Sequence, residues 1–249
     1  MAERWRLLLH PETAPADAMA VDEALLIHHS APTLRLYRWR PFGVSIGYFQ
    51  RYEELPIQQL ASEGTPVIRR LTGGGAIYHG EEVTFSITAP SDHLLFRGPV
   101  RDSYDRVHSI LTAALLECCK ATTNIQPRGA ATLQSDASES PWCFHESTEF
   151  DLSSNSRKLV GSAQRRTGGR VLHHGSIILK TNPYTSEIAS IEMLGGAPNP
   201  AIVEDAIIRA FSQSLQITLE PGDLSGAEHD TANKLAAEKY NSDAWNRRR

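Results

Sequence analysis

Two glycine-interrupted stretches hold the residue types that chemistry would need. Residues 69–79 read RRLTGGGAIYH, with Arg69, Arg70 and Thr72 ahead of Gly73, Gly74 and Gly75, and His79 closing the run. Residues 158–179 read KLVGSAQRRTGGRVLHHGSIIL, in which Lys158 leads a Gly161-Ser162-Ala163 step and His174-Gly175 follows. Glycine loses more backbone entropy on folding than any other residue. Three in a row in an ordered connection therefore ask for positive φ angles or for a ligand pressed against bare backbone. A flexible hairpin tip is the other reading of that run taken alone. The sulfur chemistry available is limited to Cys118, Cys119 and Cys143. An odd number of cysteines, none spaced as a zinc pair, reads as free thiols. Cys118 shares a helical face with Val107, Ile110, Leu111, Ala114 and Leu115, so it and Cys119 read as structural, a thiol packing as a small hydrophobe. Cys143 stands apart, at the end of a polar stretch over residues 129–140 that reads as a mobile loop.

Composition narrows the setting for that chemistry. The chain has 249 residues and 41% apolar content, enough for one domain with a full core. No run approaches the roughly 18 apolar residues of a membrane span, and the N-terminal residues lack the features of a signal peptide. A cytoplasmic protein without a membrane partner is expected. A net charge of -4 argues against a generally basic nucleic-acid surface. Arg69, Arg70, Lys158, Arg165 and Arg166 are the exception, a cluster that would suit an acidic partner or an anionic ligand. For Arg69, Arg165 and Arg166 a solvated face is the simpler expectation.

The elements that must position these residues follow from periodicity and punctuation. Strands are expected over residues 5–9, 33–39, 44–48, 66–68, 150–152, 158–163 and 171–179, with a turn at Arg40-Pro41-Phe42-Gly43 and another over residues 153–156. Val83, Phe85 and Ile87 alternate with Thr84, Ser86 and Thr88, the period-two pattern of a half-buried strand. Helices are expected over residues 15–29, with Asp22 and Glu23 near its solvent side, over 53–63, through 107–118, from Val203 to Leu215 by its apolar face, and over 227–240. Residues 247–249 read as a frayed basic end. Many short strands among a few helices, without βαβ alternation, point to an α+β fold.

The three pieces RRLTGGGAIYH, KLVGSAQRR and LHHGSIIL, in that order and spacing, resemble the lipoate-protein ligase and octanoyltransferase family. The opening AMAVDEALL, the segment PTLRLYRWRPFGVSIGYFQ and the tail AEHDTANKLAAEKYNSDAW extend the resemblance over nearly the whole chain. It implies one catalytic domain over residues 1–249: a mixed central sheet flanked by helices, shared with biotin protein ligases and related to class II aminoacyl-tRNA synthetase cores. It also implies two possible chemistries. Ligases activate a free acid with ATP and Mg²⁺ and pass it from an adenylate to a carrier-domain lysine. Transferases need no cofactor and take the acyl group from an acyl carrier protein thioester through a cysteine.

In one branch of the octanoyltransferases the nucleophile lies in a Cys-Phe step about fifteen residues before the lysine of a K-x-x-G-S-A-Q segment. Cys143-Phe144 stands in that relation to Lys158. The resemblance therefore implies Cys143 as nucleophile and Lys158 as the group that lowers its pKa. A free thiol of pKa about 8.5 is only a few per cent thiolate near neutrality, and each unit of lowering corresponds to about 1.4 kcal/mol. By the same resemblance Arg70, Thr72, Gly73, Gly74, Gly75, His79, Gly161, Ser162, Ala163, His174 and Gly175 line or shape the acyl pocket, and no metal is held. For His79 and His174 a purely structural role is the competing expectation, and for Lys158 an exposed surface position. Octanoyl-acyl carrier protein is the implied donor. Glycine-cleavage H protein or the lipoyl domains of 2-oxoacid dehydrogenases are the implied acceptors, and a monomer is expected. Leu71 and Gly80 depart from the family's usual proline and polar residue; the second change disfavours adenylation. An ATP-dependent ligase and a non-catalytic acyl-carrier-binding homologue are the alternative readings.

Overall fold

A computed structural model describes residues 2–28, 31–120, 123–129, 140–142, 149–184 and 187–248. Its centre is an eight-stranded mixed sheet in the order β11-β1-β2-β6-β10-β9-β8-β7. The strands are β1 (Glu3–Thr13), β2 (Thr33–Trp39), β6 (Glu82–Pro90), β7 (Gln126–Pro127), β8 (Leu152–Ser154), β9 (Arg157–Thr167), β10 (Arg170–Ile178) and β11 (Ile217–Pro221). β1 runs parallel to both β11 and β2, and every other pairing is antiparallel. A second sheet of three strands, β3 (Gly43–Ile46) between β4 (Val67–Arg69) and β5 (Ile77–His79), carries the glycine run in its β4–β5 connection. The architecture is α+β, a mixed sheet flanked by helices, as the strand and helix pattern indicated.

Helices cover both faces of the large sheet. On one side α3 (Val100–Cys118) and α4 (Pro200–Leu215) bury Val107, Leu111, Leu115, Ile207 and Phe211 against Phe85, Ile87, Val171 and Ile177. On the other, α1 (Pro15–Ile27) and α5 (Gly226–Leu235) pack around Leu8, Tyr37 and Trp39. With both faces covered, β6 is buried along almost its whole length rather than half-buried. Its threonines and serine do not face water as simple alternation suggests; they line an internal polar layer. Residues 53–63 do not form one helix. A short 3-10 turn at Tyr52–Glu54 and α2 (Ile57–Ser62) are separated at Pro56, whose ring removes a donor and restricts the residue before it. The terminal helix likewise divides into α5, opened by a capping box between Ser225 and Glu228, and a π turn at Ala236–Tyr240.

Two local features aim side chains toward the site. The β9–β10 hairpin turns at Gly168 and Gly169, both at positive φ. The β8–β9 hairpin turns at Asn155 and Ser156, with φ of 50° and 59°, values that match the right-handed strand twist. Close to that second turn the register slips. Ser153 pairs with Lys158 but Leu152 pairs with Val160, so β9 carries an extra residue at Leu159. Such a bulge bends its strand and re-aims the side chains around it.

Candidate active site

The glycine run closes one wall of a cavity of about 470 Å³. Its other walls come from α1 (Met19), β2 (Tyr37), β3 (Ser45), β6 (Thr84), β9, β10 and the start of α3. Of the residues singled out in the sequence, Arg70, Gly73, Gly74, Gly75, His79, Lys158, Gly161, Ser162, Ala163, His174 and Gly175 all line it. Thr72 does not; it is buried immediately beneath the loop. Cys143 and its neighbour Phe144 fall outside the described residues, as does nearly all of the polar stretch before them. The preceding residue, Trp142, is described: it is buried and bridges Ala76 at the end of the glycine run. The Ala76 N–H also donates to Pro141 O at 2.8 Å.

The glycines differ in what they are needed for. Gly74 alone of the three has positive φ, at 91°, and needs glycine for its backbone angle. A Cβ on Gly73 would meet nothing within 4 Å, which leaves bare backbone facing open space. Arg70 holds the loop from below. Its Nη2 donates to Gly73 O at 2.7 Å and Gly75 O at 2.8 Å, and its Nη1 to Ser45 O at 3.1 Å.

The basic cluster is not a surface patch. Arg69 is fully buried and donates to the carbonyls of Gly47, Gln50 and Asn246, tying β4 to the C-terminal segment. Arg166 donates to Phe96 O, Gly98 O and Gln164 Oε1, so it too makes specific contacts. Arg165 lies over the ring of Tyr48, and the guanidinium of Arg248 also lies against that ring, 3.8 Å from its centroid. Residue 248 is therefore packed, not frayed. For Arg69 and Arg166 the reason is shared: carbonyls of loops and turns need donors, and a guanidinium supplies five.

Lys158 is 1% exposed, which excludes a surface position, and its Nζ lies 2.9 Å from Oδ2 of Asp151. Asp151 is equally buried and belongs to the cavity wall beside Phe150 and Tyr104. An ammonium here carries its positive field with a carboxylate beside it. It can donate toward an atom in the cavity while Asp151 holds it in place.

The two histidines are held at both ring nitrogens. His79 Nδ1 lies 2.5 Å from Glu82 Oε1 and its Nε2 2.7 Å from Ser45 Oγ, with the ring stacked on Trp39. His174 Nε2 lies 2.6 Å from Thr72 Oγ1 and its Nδ1 3.3 Å from Oδ2 of Asp22. Burial pushes the His174 pKa down against the opposing pull of Asp22. Asp22 is not on a solvent face. It is 1% exposed and paired with the buried Arg35 at 2.7 Å. Burial pushes its carboxyl up, but Arg35 and the bonds from His174 and Ser86 outweigh that and hold it below its usual range. Glu23, half-buried, is bound by Lys239 and Tyr240.

Sequence reasoning missed Asp22, Asp151, His108 and Gln164. A signal existed for three of them. Helix α1 is apolar almost all round, so a charged residue within it requires a buried partner. On β9, Ser162, Gln164 and Arg166 share a face by period two, and Gln164 and Arg166 both meet Ser103 of α3. His108 lies on the same apolar stripe of α3 as Leu111 and Leu115; its Nε2 is 2.7 Å from Ser162 Oγ. Burial pushes its pKa down. Nothing marked Asp151. Cys118 behaves as expected of a structural thiol: burial pushes it up to about 11, and its Sγ contacts Ala114 O.

A family model described as the lipoyl protein ligase A/B catalytic domain matches residues 14–212. The chain belongs to that family. Within the lipoyl protein ligase A/B family, it is 34% identical to the octanoyltransferase LipM of Moorella thermoacetica, over 100% of this chain and 99% of that one. It is 35% identical to the LipM of Kyrpidia tusciae, over 99% and 100%. The Bacillus subtilis LipM matches at 30% identity over 99% of each chain. Among solved structures, a T. acidophilum protein with bound lipoic acid superposes with a TM-score of 0.82 at 25% identity, each chain fully covered. A lipoate-protein ligase A bound with ATP superposes with a TM-score of 0.80 at 24% identity, over 99% of each chain, and shows the shared fold.

Proposed function

We propose that this protein is an acyltransferase that moves an octanoyl or lipoyl group from an acyl carrier protein thioester, through a thioester on Cys143, to a lysine of a lipoyl-accepting protein. The acceptor class is glycine-cleavage H protein or the lipoyl domains of 2-oxoacid dehydrogenases. The observation that carries the reading is the cavity itself: a glycine-floored pocket with apolar walls and one buried Lys158–Asp151 pair, in a chain similar over its full length to octanoyltransferases. Met19, Ile77, Val100 and Phe150 supply surface for a short acyl chain. Trp142, pinned against Ala76, is the chain neighbour of the proposed nucleophile, which supports placing the thiol's chemistry at the glycine loop.

In the proposed cycle the Cys143 thiolate attacks the donor's acyl carbonyl. The C–S bond to the carrier arm breaks and the carrier thiolate leaves, taking up a proton. The acceptor's neutral amine then attacks the enzyme thioester, loses a proton and releases the Cys143 thiolate. Both steps pass through an oxyanion, and both have a thiolate as leaving group. An ammonium fixed at the cavity wall stabilises each of these negative charges more than it stabilises the neutral ground-state carbonyl. No step requires ATP.

The test is intact mass after mixing the protein with octanoyl-acyl carrier protein in the absence of ATP, alongside Cys143→Ala. A hydroxylamine-labile octanoyl adduct on the wild type alone is the expected result. An adduct on both proteins, or on neither while ATP and lipoate support acceptor modification, would overturn the covalent route.

A further inference from the structure

Beneath the glycine loop, five buried side chains form one continuous hydrogen-bonded chain from α1 to the loop carbonyls. Arg35 Nη1 donates to Asp22 Oδ1 at 2.7 Å and to Ala18 O at 2.9 Å, and Ser86 Oγ donates to the same carboxylate oxygen at 2.7 Å. Asp22 Oδ2 faces His174 Nδ1, His174 Nε2 faces Thr72 Oγ1, and Arg70 Nε donates to Thr72 Oγ1 at 3.2 Å. Arg70 then clamps the carbonyls of Gly73 and Gly75. None of Asp22, Arg35, Arg70, Thr72 and His174 exceeds 6% exposure, so all five are shielded from bulk solvent.

The inventory of donors fixes the direction of every bond. A guanidinium only donates, so Thr72 Oγ1 accepts from Arg70. An ionised carboxylate only accepts, so the proton between Asp22 and His174 sits on Nδ1. Burial keeps His174 neutral. Its Nε2 is then a bare acceptor, and the Thr72 hydroxyl donates to it. Each proton has one place and each short contact has one donor.

We propose that Asp22 is a positioning residue for the glycine loop: by fixing His174 in its Nδ1–H tautomer it turns the Thr72 hydroxyl proton away from Arg70, so that Thr72 accepts from the guanidinium that clamps Gly73 and Gly75. The opposite tautomer would set the Asp22 carboxylate against the bare Nδ1 and put a second proton at the Thr72 oxygen. The carbonyl directions at Gly73 and Gly75 also fix the planar peptides that follow them, including that of Gly74, which lines the cavity. Asp22 itself lies outside the cavity lining and acts through three intervening residues.

This deepens the transferase reading, and rests on it only for the activity measurement. Long-range ¹H–¹⁵N correlation of ¹⁵N-histidine-labelled protein at pH 7 reads the tautomer with no substrate, the ring being assigned by its contacts to the Thr72 methyl. An Nδ1–H ring at position 174 is expected. An Nε2–H or doubly protonated ring would overturn the proposal. In Thr72→Val the Ala76 amide, which donates to Pro141 O at the end of the loop, should exchange about tenfold faster, equivalent to ~1.4 kcal/mol, while Thr72→Ser exchanges like wild type. Unchanged exchange in the valine variant would overturn the positioning role. Single-turnover acylation should fall by a similar factor in Thr72→Val and recover in Thr72→Ser. A wild type that is never acylated would count against the transferase reading alone, because the tautomer and exchange results stand without it.

Discussion

Gly47→Ala should separate loop geometry from overall stability. Gly47 follows β3, its carbonyl accepts from Arg69, and an alanine Cβ there would lie 1.7 Å from Gly74 O and 2.9 Å from the Gly74 carbonyl carbon. Non-bonded carbon contacts sit near 3.5 Å or beyond, so the two backbones must part by about 1.5–2 Å. Neither side yields easily. The Gly47 backbone is tied by Arg69, and the Gly74 peptide by the Arg70 clamp at a φ of 91°. Overpacking of this kind costs roughly 1–3 kcal/mol, which for a chain of this length lowers Tm by about 2–12 °C. The effect on turnover is larger, because a ~1 Å misplacement at a reacting centre can cost about 100-fold. The assay pairs thermal melting with the rate of acyl-enzyme formation by intact mass, using Gly226→Ala as control; that Cβ meets nothing within 4 Å at the start of α5. Gly47→Ala that stays folded and acylates at the wild-type rate would refute the claim that the loop's position sets the chemistry.

Two further predictions concern charge. Asp151→Ala removes one partner of a pair whose side chains are 1% and 2% exposed, a change that typically costs ~3–5 kcal/mol. Calorimetry should show Tm falling by roughly 6–20 °C, with Asp151→Leu/Lys158→Met recovering much of it; a fall no larger than that of the exposed Glu238→Ala would contradict the burial of the pair. Acidification should destabilise the fold in two stages. His10, lowered to about 4 by burial and by Arg35, and the buried His108, His173 and His174 are all depressed, so their stabilising contribution is full above the unfolded histidine value near 6.5 and is lost as pH falls toward the folded values. Asp22, depressed from the carboxylate range, adds its loss only below about pH 4. Thermal melts between pH 7.5 and 3 should show Tm declining from near pH 6.5 and again in the acid range; a Tm that rises between pH 6.5 and 5 would contradict the first stage.

The large sheet and the cavity wall were legible because they follow from local pattern. Residues 33–39 form β2 as read, the strand read at 158–163 lengthens into β9, and that read at 171–179 forms β10 one residue earlier, because each holds a run of strand formers bounded by turn residues. Illegible were the partners of buried charge. Arg69, read as solvated, is enclosed by carbonyls from residues 47–50 and from residues 245–246, the latter 176 and 177 positions away. Period and propensity describe one segment at a time and carry no information about such pairs. β11 was missed for a related reason: five residues with mixed exposure become a strand only because β1 offers a parallel edge.

The same limit bears on mechanism at Lys158. Its motif identifies a lysine near the proposed thiol, and a lone ammonium there would lower the thiol pKa strongly. The β8–β9 bulge changes that expectation, because it sets Lys158 and Leu159 together opposite a shortened β8 and brings the lysine to within 2.9 Å of Asp151, seven positions earlier. A carboxylate at that distance cancels much of the ammonium's field at longer range while leaving its hydrogen-bonding capacity local and directed. The pair is therefore better suited to donating to an oxyanion or a departing thiolate in contact with it than to ionising a distant thiol. Asp151→Asn distinguishes the two effects. Neutralising the carboxylate restores the long-range field, so the apparent pKa of Cys143 alkylation should fall while acyl transfer slows through loss of lysine positioning. An alkylation pKa that rises in Asp151→Asn would show that the carboxylate, by keeping Lys158 charged, is what ionises the thiol.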